Sequence, residues 1–247
     1  MMSAEVIVAA IAIAFLASTC QAITGFGFAP VMTPLLALAW DVKPAIAAAI
    51  LLGTVNLLLL LPEVRGDVSL RRVFWLLAGF AAGVGPGVFL LEHLDAEVLK
   101  VVVACTVIAA SFLLFSLPHM GSGSDSLPGR LIAGALSGSI GSSTSLTAPP
   151  VVLYLVGRLD VASFRATTLA FFLPSNLMVI AALALVGRIT GDVLLLSAAA
   201  LPALLLGVLL GAWLRGHVQA ERFRLVVLAV LMSTSVAVLG SVVAGLG

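Results

Sequence analysis

Charge is what this sequence has least of. Lys and Arg number 12 and Asp and Glu 11 in 247 residues, 9% together, for a net charge of +1. A soluble domain carries about 25% charged residues, and polar groups as few as these could not cover a chain in water. So even a balance also gives no bulk attraction to nucleic acid or to an acidic partner. Cysteine is nearly absent. Cys20 and Cys105 stand singly in apolar stretches, with neither metal-ligand spacing nor a disulfide framework. The three histidines lie in or beside charged loops, and no Gly-Lys-Ser/Thr phosphate loop occurs. These gaps point away from catalysis and ATP hydrolysis, and no metal or cofactor is expected.

Apolar residues make up 62% of the chain, which excludes disorder. Eight windows contain no Asp, Glu, Lys or Arg: 6–40, 44–62, 73–91, 101–124, 131–157, 166–187, 193–214 and 225–247. A membrane-crossing helix needs about 17–25 apolar residues, and every window reaches that length. The expected fold is therefore all-α: a polytopic membrane protein of about eight transmembrane helices. The first five residues carry one negative charge and no positive one, unlike the start of a secretory signal, so the first window reads as a membrane helix of the mature chain. Over eight spans, the loops at 41–43, 92–100, 158–165 and 215–224 hold seven Lys and Arg against five in the other set. That margin, though thin, puts both termini outside the cytoplasm.

The two halves share features in order. Gly25 and Pro34 match Gly141 and Pro150 at a spacing of 116, and Asn56-Leu57 matches Asn176-Leu177 at 120. Gly66-Asp67-Val68 matches Gly191-Asp192-Val193 at 125. Gly83, Gly87, His93, Ala96 and Glu97 match Gly207, Gly211, His217, Ala220 and Glu221 at 124. The chain divides on this basis into a first four-helix repeat (1–117), a Gly/Ser-rich linker (118–129) and a second four-helix repeat (130–247). Repeats of this kind recur in secondary transporters, with the binding site at the repeat interface.

Two windows, 6–40 and 131–157, are too long and are interrupted. The first holds Gln21, Thr24, Gly25, Gly27, Pro30 and Pro34; the second holds Gly141, Ser142, Ser143, Thr144, Ser145, Pro149 and Pro150. Glycine weakens a helix by about 1 kcal/mol and proline by about 3, while hydroxyls compete for its backbone. Broken backbone at membrane depth is tolerated only inside protein or beside a water-filled cavity. Each break is followed by a short helix with prolines suited to its first turn. The free N–H groups and positive dipole end of that helix then face the break, and with the hydroxyls they suit a small anion. Each break is either one interrupted span or a re-entrant turn, and the 27 residues of 131–157 fit an interrupted span better. With four spans per half the repeats run parallel; if each short helix crosses alone, they are inverted.

The paired stretches Gly25-Phe-Gly-Phe-Ala-Pro-Val-Met-Thr-Pro34 and Gly141-Ser-Ser-Thr-Ser-Leu-Thr-Ala-Pro-Pro150, with Phe164-Arg165-Ala166-Thr167 downstream, resemble the sulfite exporter TauE/SafE family, also called toluene sulfonate uptake permeases. The resemblance covers nearly the whole chain. It implies a multi-pass protein of a bacterial inner membrane that transports small sulfur-containing anions such as sulfite or organosulfonates. Ser142-Ser143-Thr144 stand where glycines are more usual, adding hydroxyls to the second break.

Other polar residues have two readings each. Asn56, Asn176 and Gln21 lie within apolar windows, where each either bonds across helices or touches the substrate. Arg165 is an interfacial anchor or attracts an anion toward the cavity. His93, Glu97 and Lys100, with their copies His217, Glu221 and Arg224, suit one charged helix face or a proton-coupling pair. Gly79, Gly83, Gly87, Gly134, Gly138, Gly207 and Gly211 read as close helix contacts. The partners expected are a small anionic substrate and the bilayer; a homo-oligomer is compatible. An anion channel, or a membrane scaffold that moves nothing, is the alternative.

Overall fold

The computed structural model describes residues 3–24, 27–63, 67–116, 125–215, 217, 232, 233, 235–238 and 240. Among these there are nine long or short α-helices and no strand: α1 (Ala4–Thr24), α2 (Phe28–Ala39), α3 (Val42–Leu60), α4 (Leu70–His93), α5 (Ala96–Ser116), α6 (Leu127–Thr144), α7 (Ala148–Leu155), α8 (Val161–Leu185) and α9 (Gly191–Arg215). Five of them, α1, α3, α4, α8 and α9, are long and apolar enough to cross a membrane. Helix starts follow local chemistry. The Ser126 side chain accepts from the Gly129 N–H at 3.2 Å, so α6 begins at Leu127, inside the expected linker. Asp160 accepts from the N–H groups of Ala162 and Ser163, both at 3.1 Å. Such caps are worth about 1 kcal/mol each.

Glycines set the closest contacts. A Cβ on Gly79 or Gly83 would run into the carbonyl of Leu131 or Ala135 on α6, and one on Gly87 into that of Ser139. Gly134 and Gly138 meet the carbonyls of Leu76 and Phe80 in return. On the other side of the bundle, Gly207 meets Phe15 and Gly211 meets Thr19. Thus α4 lies along α6 and α9 along α1, each pair parallel. Gly83 to Gly207 is a step of 124, while Ala135 to Phe15 and Ser139 to Thr19 are steps of 120. The two contact patterns therefore superpose with α1 and α6 in a register of 120, the same as that of the two asparagines, rather than 116. Phe80 of α4 stacks edge-on against Phe171 of α8 at 5.6 Å, both fully buried at the centre of the core.

The short helices fold back. α7 packs along α6, α2 packs along α1, and Tyr154 near the end of α7 returns to Ser126 at the start of α6. Each break is a re-entrant turn, not an interruption in one continuing span. The reason is local: Ser145 takes a left-handed conformation, φ 68°, and its N–H closes on Gly141 O at 2.8 Å, which turns the chain round. The chain's direction then alternates differently from the eight-span expectation. Arg72 meets Asp125, and Ser69 meets Thr167, so the starts of α4, α6 and α8 share one end, the Asp125 end. At the opposite end Glu92 of α4 meets Arg188, which precedes α9, and Lys43 at the start of α3. α9 starts at that Glu92 end and its 25 residues span about 37 Å. Of the nine Lys and Arg among the described residues, six (Arg71, Arg72, Arg130, Arg158, Arg165 and Arg215) lie at the Asp125 end and three (Lys43, Lys100 and Arg188) at the Glu92 end.

Candidate functional site

The two turns converge. Gly27, Phe28, Ala29 and Pro30 from the first and Ser145, Leu146, Thr147, Ala148 and Pro149 from the second line one cavity of about 90 Å³. A water needs about 10–15 Å³ by this measure, so several waters or one small anion would fit. The cavity lies against the interiors of α3 (Ala49, Ile50, Gly53, Leu57) and α8 (Phe172, Asn176), and Gln21 of α1, Ala110 of α5 and Val152 of α7 are also in the wall. Among the described residues, no charged side chain lines it. Most of the wall is apolar, and the polar groups are Gln21, Ser145, Thr147 and Asn176.

The backbone at the two turns is arranged for donation. Gly27 holds φ 115°, a conformation that favours glycine, and caps α2. Pro30 lies in the first turn of α2, and Pro149 and Pro150 in that of α7, where the missing N–H removes no helix bond. The first-turn N–H groups of Phe28, Ala29 and Ala148 have no acceptor within their own helices. They belong to cavity-lining residues, at the positive ends of the two helix dipoles.

A family model described as sulfite exporter TauE/SafE matches residues 10–238. The chain belongs to that family. Neither the curated proteins nor the solved structures yield a match. As a TauE/SafE chain with several apolar helices it is a multi-pass membrane protein, in a family of transporters rather than enzymes.

In this TauE/SafE protein the turns use fewer of their hydroxyls than the sequence suggests. The helix ends only at the last member of the hydroxyl run, Ser145: α6 continues through Ser142, Ser143 and Thr144. Their hydroxyls donate to carbonyls of the same helix, Ser142 to Gly138 at 2.6 Å, Ser143 to Ser139 at 2.8 Å and Thr144 to Ile140 at 2.7 Å. Ser142 also lies 3.2 Å from Val84 O on α4. These three hydroxyls satisfy themselves by bonding back one turn, and none is in the cavity wall. Gly141 backs onto Thr147, and Pro34 sits within α2. Ser145 Oγ is 2.5 Å from Thr33 Oγ1 of α2, joining the second turn to the first short helix. Thr147, absent from the sequence-based set, is in the wall; its place two residues before the double proline, as a helix cap, was the available signal.

The remaining candidates separate. Asn176 is in the wall, whereas Asn56 is fully buried outside it. Arg165 is exposed in the first turn of α8, away from the cavity. His93 closes α4 while Glu97 opens α5, so they share no helix face; Lys100 pairs with Glu97 at 3.1 Å. His93 and His217 each stack on the aromatic ring four residues earlier, Phe89 and Trp213. Gly25, Glu221 and Arg224 lie outside the described residues, as does the side chain of Thr24.

Charges close the two ends instead. Asp125 accepts from Arg130 at 2.8 Å, Arg72 at 3.0 Å and the Tyr154 hydroxyl at 2.6 Å. The Arg130 bond, followed by those of Tyr154 and Arg72, holds its carboxyl well below the usual range against the opposing effect of burial. At the other end Arg188 clasps Glu92 through two bonds, 2.5 and 2.7 Å, and its guanidinium is raised above its ordinary value by that bond.

Proposed function

We propose that this protein is a secondary transporter for a small sulfur-containing anion, sulfite or an organosulfonate, in a bacterial inner membrane. The observation that carries the proposal is the convergence of two helix N-termini and four polar side chains on one uncharged cavity, in a chain of the TauE/SafE family. The anion would be held by N–H dipoles and by Gln21, Ser145, Thr147 and Asn176. A desolvated cation at that depth would be far costlier to maintain, and hydrogen bonds to a charged group are worth about 1.5–3 kcal/mol each. Gly25 and Thr24 remain candidates at the first turn, while the helix-bonded hydroxyls of Ser142, Ser143 and Thr144 support it from behind.

The chain is read further as two inverted copies, 1–117 and 130–247 joined at 118–129. The matching pairs α1–α9 and α4–α6 support this reading, as do the opposite directions of α1 and α6. The re-entrant α2 and α7 give each copy an odd number of passes and so turn the second copy over. The six-to-three division of described Lys and Arg then argues that the Asp125 end faces the cytoplasm.

The test is uptake by proteoliposomes of a panel of sulfur oxyanions, with and without an imposed pH gradient. Saturable flux that is accelerated by anion on the far side supports a carrier. Flux linear in concentration and indifferent to the far side supports a channel, and absence of flux for the whole panel overturns the proposal.

A further inference from the structure

Asn56 is an anomaly in a well-packed core. It is wholly buried in the interior of α3, and neither its amide nitrogen nor its amide oxygen has a hydrogen-bond partner among the described residues. Its counterpart in the 120 register, Asn176, is in the cavity wall. The turns obey the same register there: Gly27, Phe28 and Ala29 correspond to Thr147, Ala148 and Pro149, and all six line the cavity. The two long helices do not obey it. α8 presents Phe172 and Asn176, the counterparts of Leu52 and Asn56, but α3 presents the face of Ala49, Ile50, Gly53 and Leu57. Neighbouring residues on a helix differ by about 100°, so α3 stands one residue step of rotation away from the position α8 holds. The bond between Ser145 and Thr33 is one-sided as well, because their counterparts are Gly25 and Leu153, which have no hydroxyls.

From this asymmetry we propose that Asn56 and Asn176 take turns as the polar contact for the transported anion. The structure is one access state, with Asn176 presented and Asn56 withdrawn. In the opposite state α3 turns by about one residue step, presenting Asn56, while Asn176 withdraws. The unpaired amide has a use in this scheme. An unsatisfied buried polar group raises the energy of the state that contains it, and keeps two packings of one sequence close enough to interconvert. The inference rests on the two-copy transporter reading above, and its test is separable from that reading.

Asn56→Leu removes the unpaired amide from the observed state without a change of backbone. Its thermal midpoint in detergent should rise by about 4 °C, while sulfite and toluenesulfonate flux into proteoliposomes falls at least tenfold. Flux and midpoint both equal to the parent's would overturn the proposal. A second measurement stands if Asn56→Leu fails to insert. In a Cys20→Ala/Cys105→Ala background, Asn56→Cys should react with a membrane-impermeant thiol reagent, more slowly than Asn176→Cys. A cysteine at 56 that stays unreacted after the one at 176 is fully labelled would contradict the exchange. Absence of any flux from the parent protein would strike the transport reading alone and leave the labelling to decide this one.

Discussion

Ser145 and Ser143 are two residues apart, yet their hydroxyls have different surroundings. Ser143 bonds to Ser139 in its own helix, whereas Ser145 stands past the helix end in the cavity wall, joined to Thr33. Losing one hydrogen bond to a bound anion weakens it by about 1.5–3 kcal/mol, or roughly ten- to a hundredfold. Ser145→Ala should therefore raise the half-saturating anion concentration by about that factor, and Ser143→Ala should raise it much less, as read from initial rates of flux at matched insertion. Equal effects would return the site to the hydroxyl run. Composition alone could not make this distinction. Four adjacent hydroxyls read as one helix breaker, but each of the first three found a carbonyl one turn back, and only the fourth took the left-handed conformation that ends α6.

Helices α4 and α6 touch through glycine, and this much was legible in the sequence: the spacing of Gly79, Gly83 and Gly87 marks one helix face. A leucine at Gly83 would meet the Ala135 carbonyl and the Ser139 N–H region on α6. Overpacking costs about 1–3 kcal/mol or more, so Gly83→Leu should lower the thermal midpoint by several degrees; Gly85→Leu, where an added Cβ meets nothing within 4 Å, should leave it unchanged. Differential scanning of both variants in detergent checks the pair. The long windows also marked both breaks correctly. What window length could not supply was the direction of the chain after each break. Counting 131–157 as one interrupted span hides the return of α7, because a turn of a few residues leaves no mark in average hydropathy. The register slipped for a similar reason: Gly25 and Gly141 are alike in type, but packing aligns helices by the faces they bury.

At the scale of the whole molecule, the returns of α2 and α7 change the sorting of charge. Sequence-based loops divided Lys and Arg almost evenly, and the folded chain gathers two thirds of the described ones at the Asp125 end. A cysteine replacing exposed Asp95, at the Glu92 end, should be labelled by an impermeant thiol reagent in intact cells; one replacing exposed Asp67 should need permeabilised cells. The reverse pattern would invert the assigned orientation. The Asp125 cluster also sets a pH dependence. Its folded carboxyl lies below the ordinary value of about 3.9, so its contribution to stability is present above that value and is lost as pH falls below it. The thermal midpoint should drop as pH falls below about 4, and less so in Asp125→Asn; an identical acid slope in both would remove Asp125 from the account. The central claim is that an uncharged cavity between two re-entrant turns carries the anion. The most direct measurement is sulfite counterflow in proteoliposomes for the parent and for Ser145→Ala/Thr147→Val/Asn176→Leu. The account predicts saturable counterflow in the parent and a loss of at least a hundredfold in the triple variant at equal insertion. Counterflow undiminished in the triple variant would contradict it.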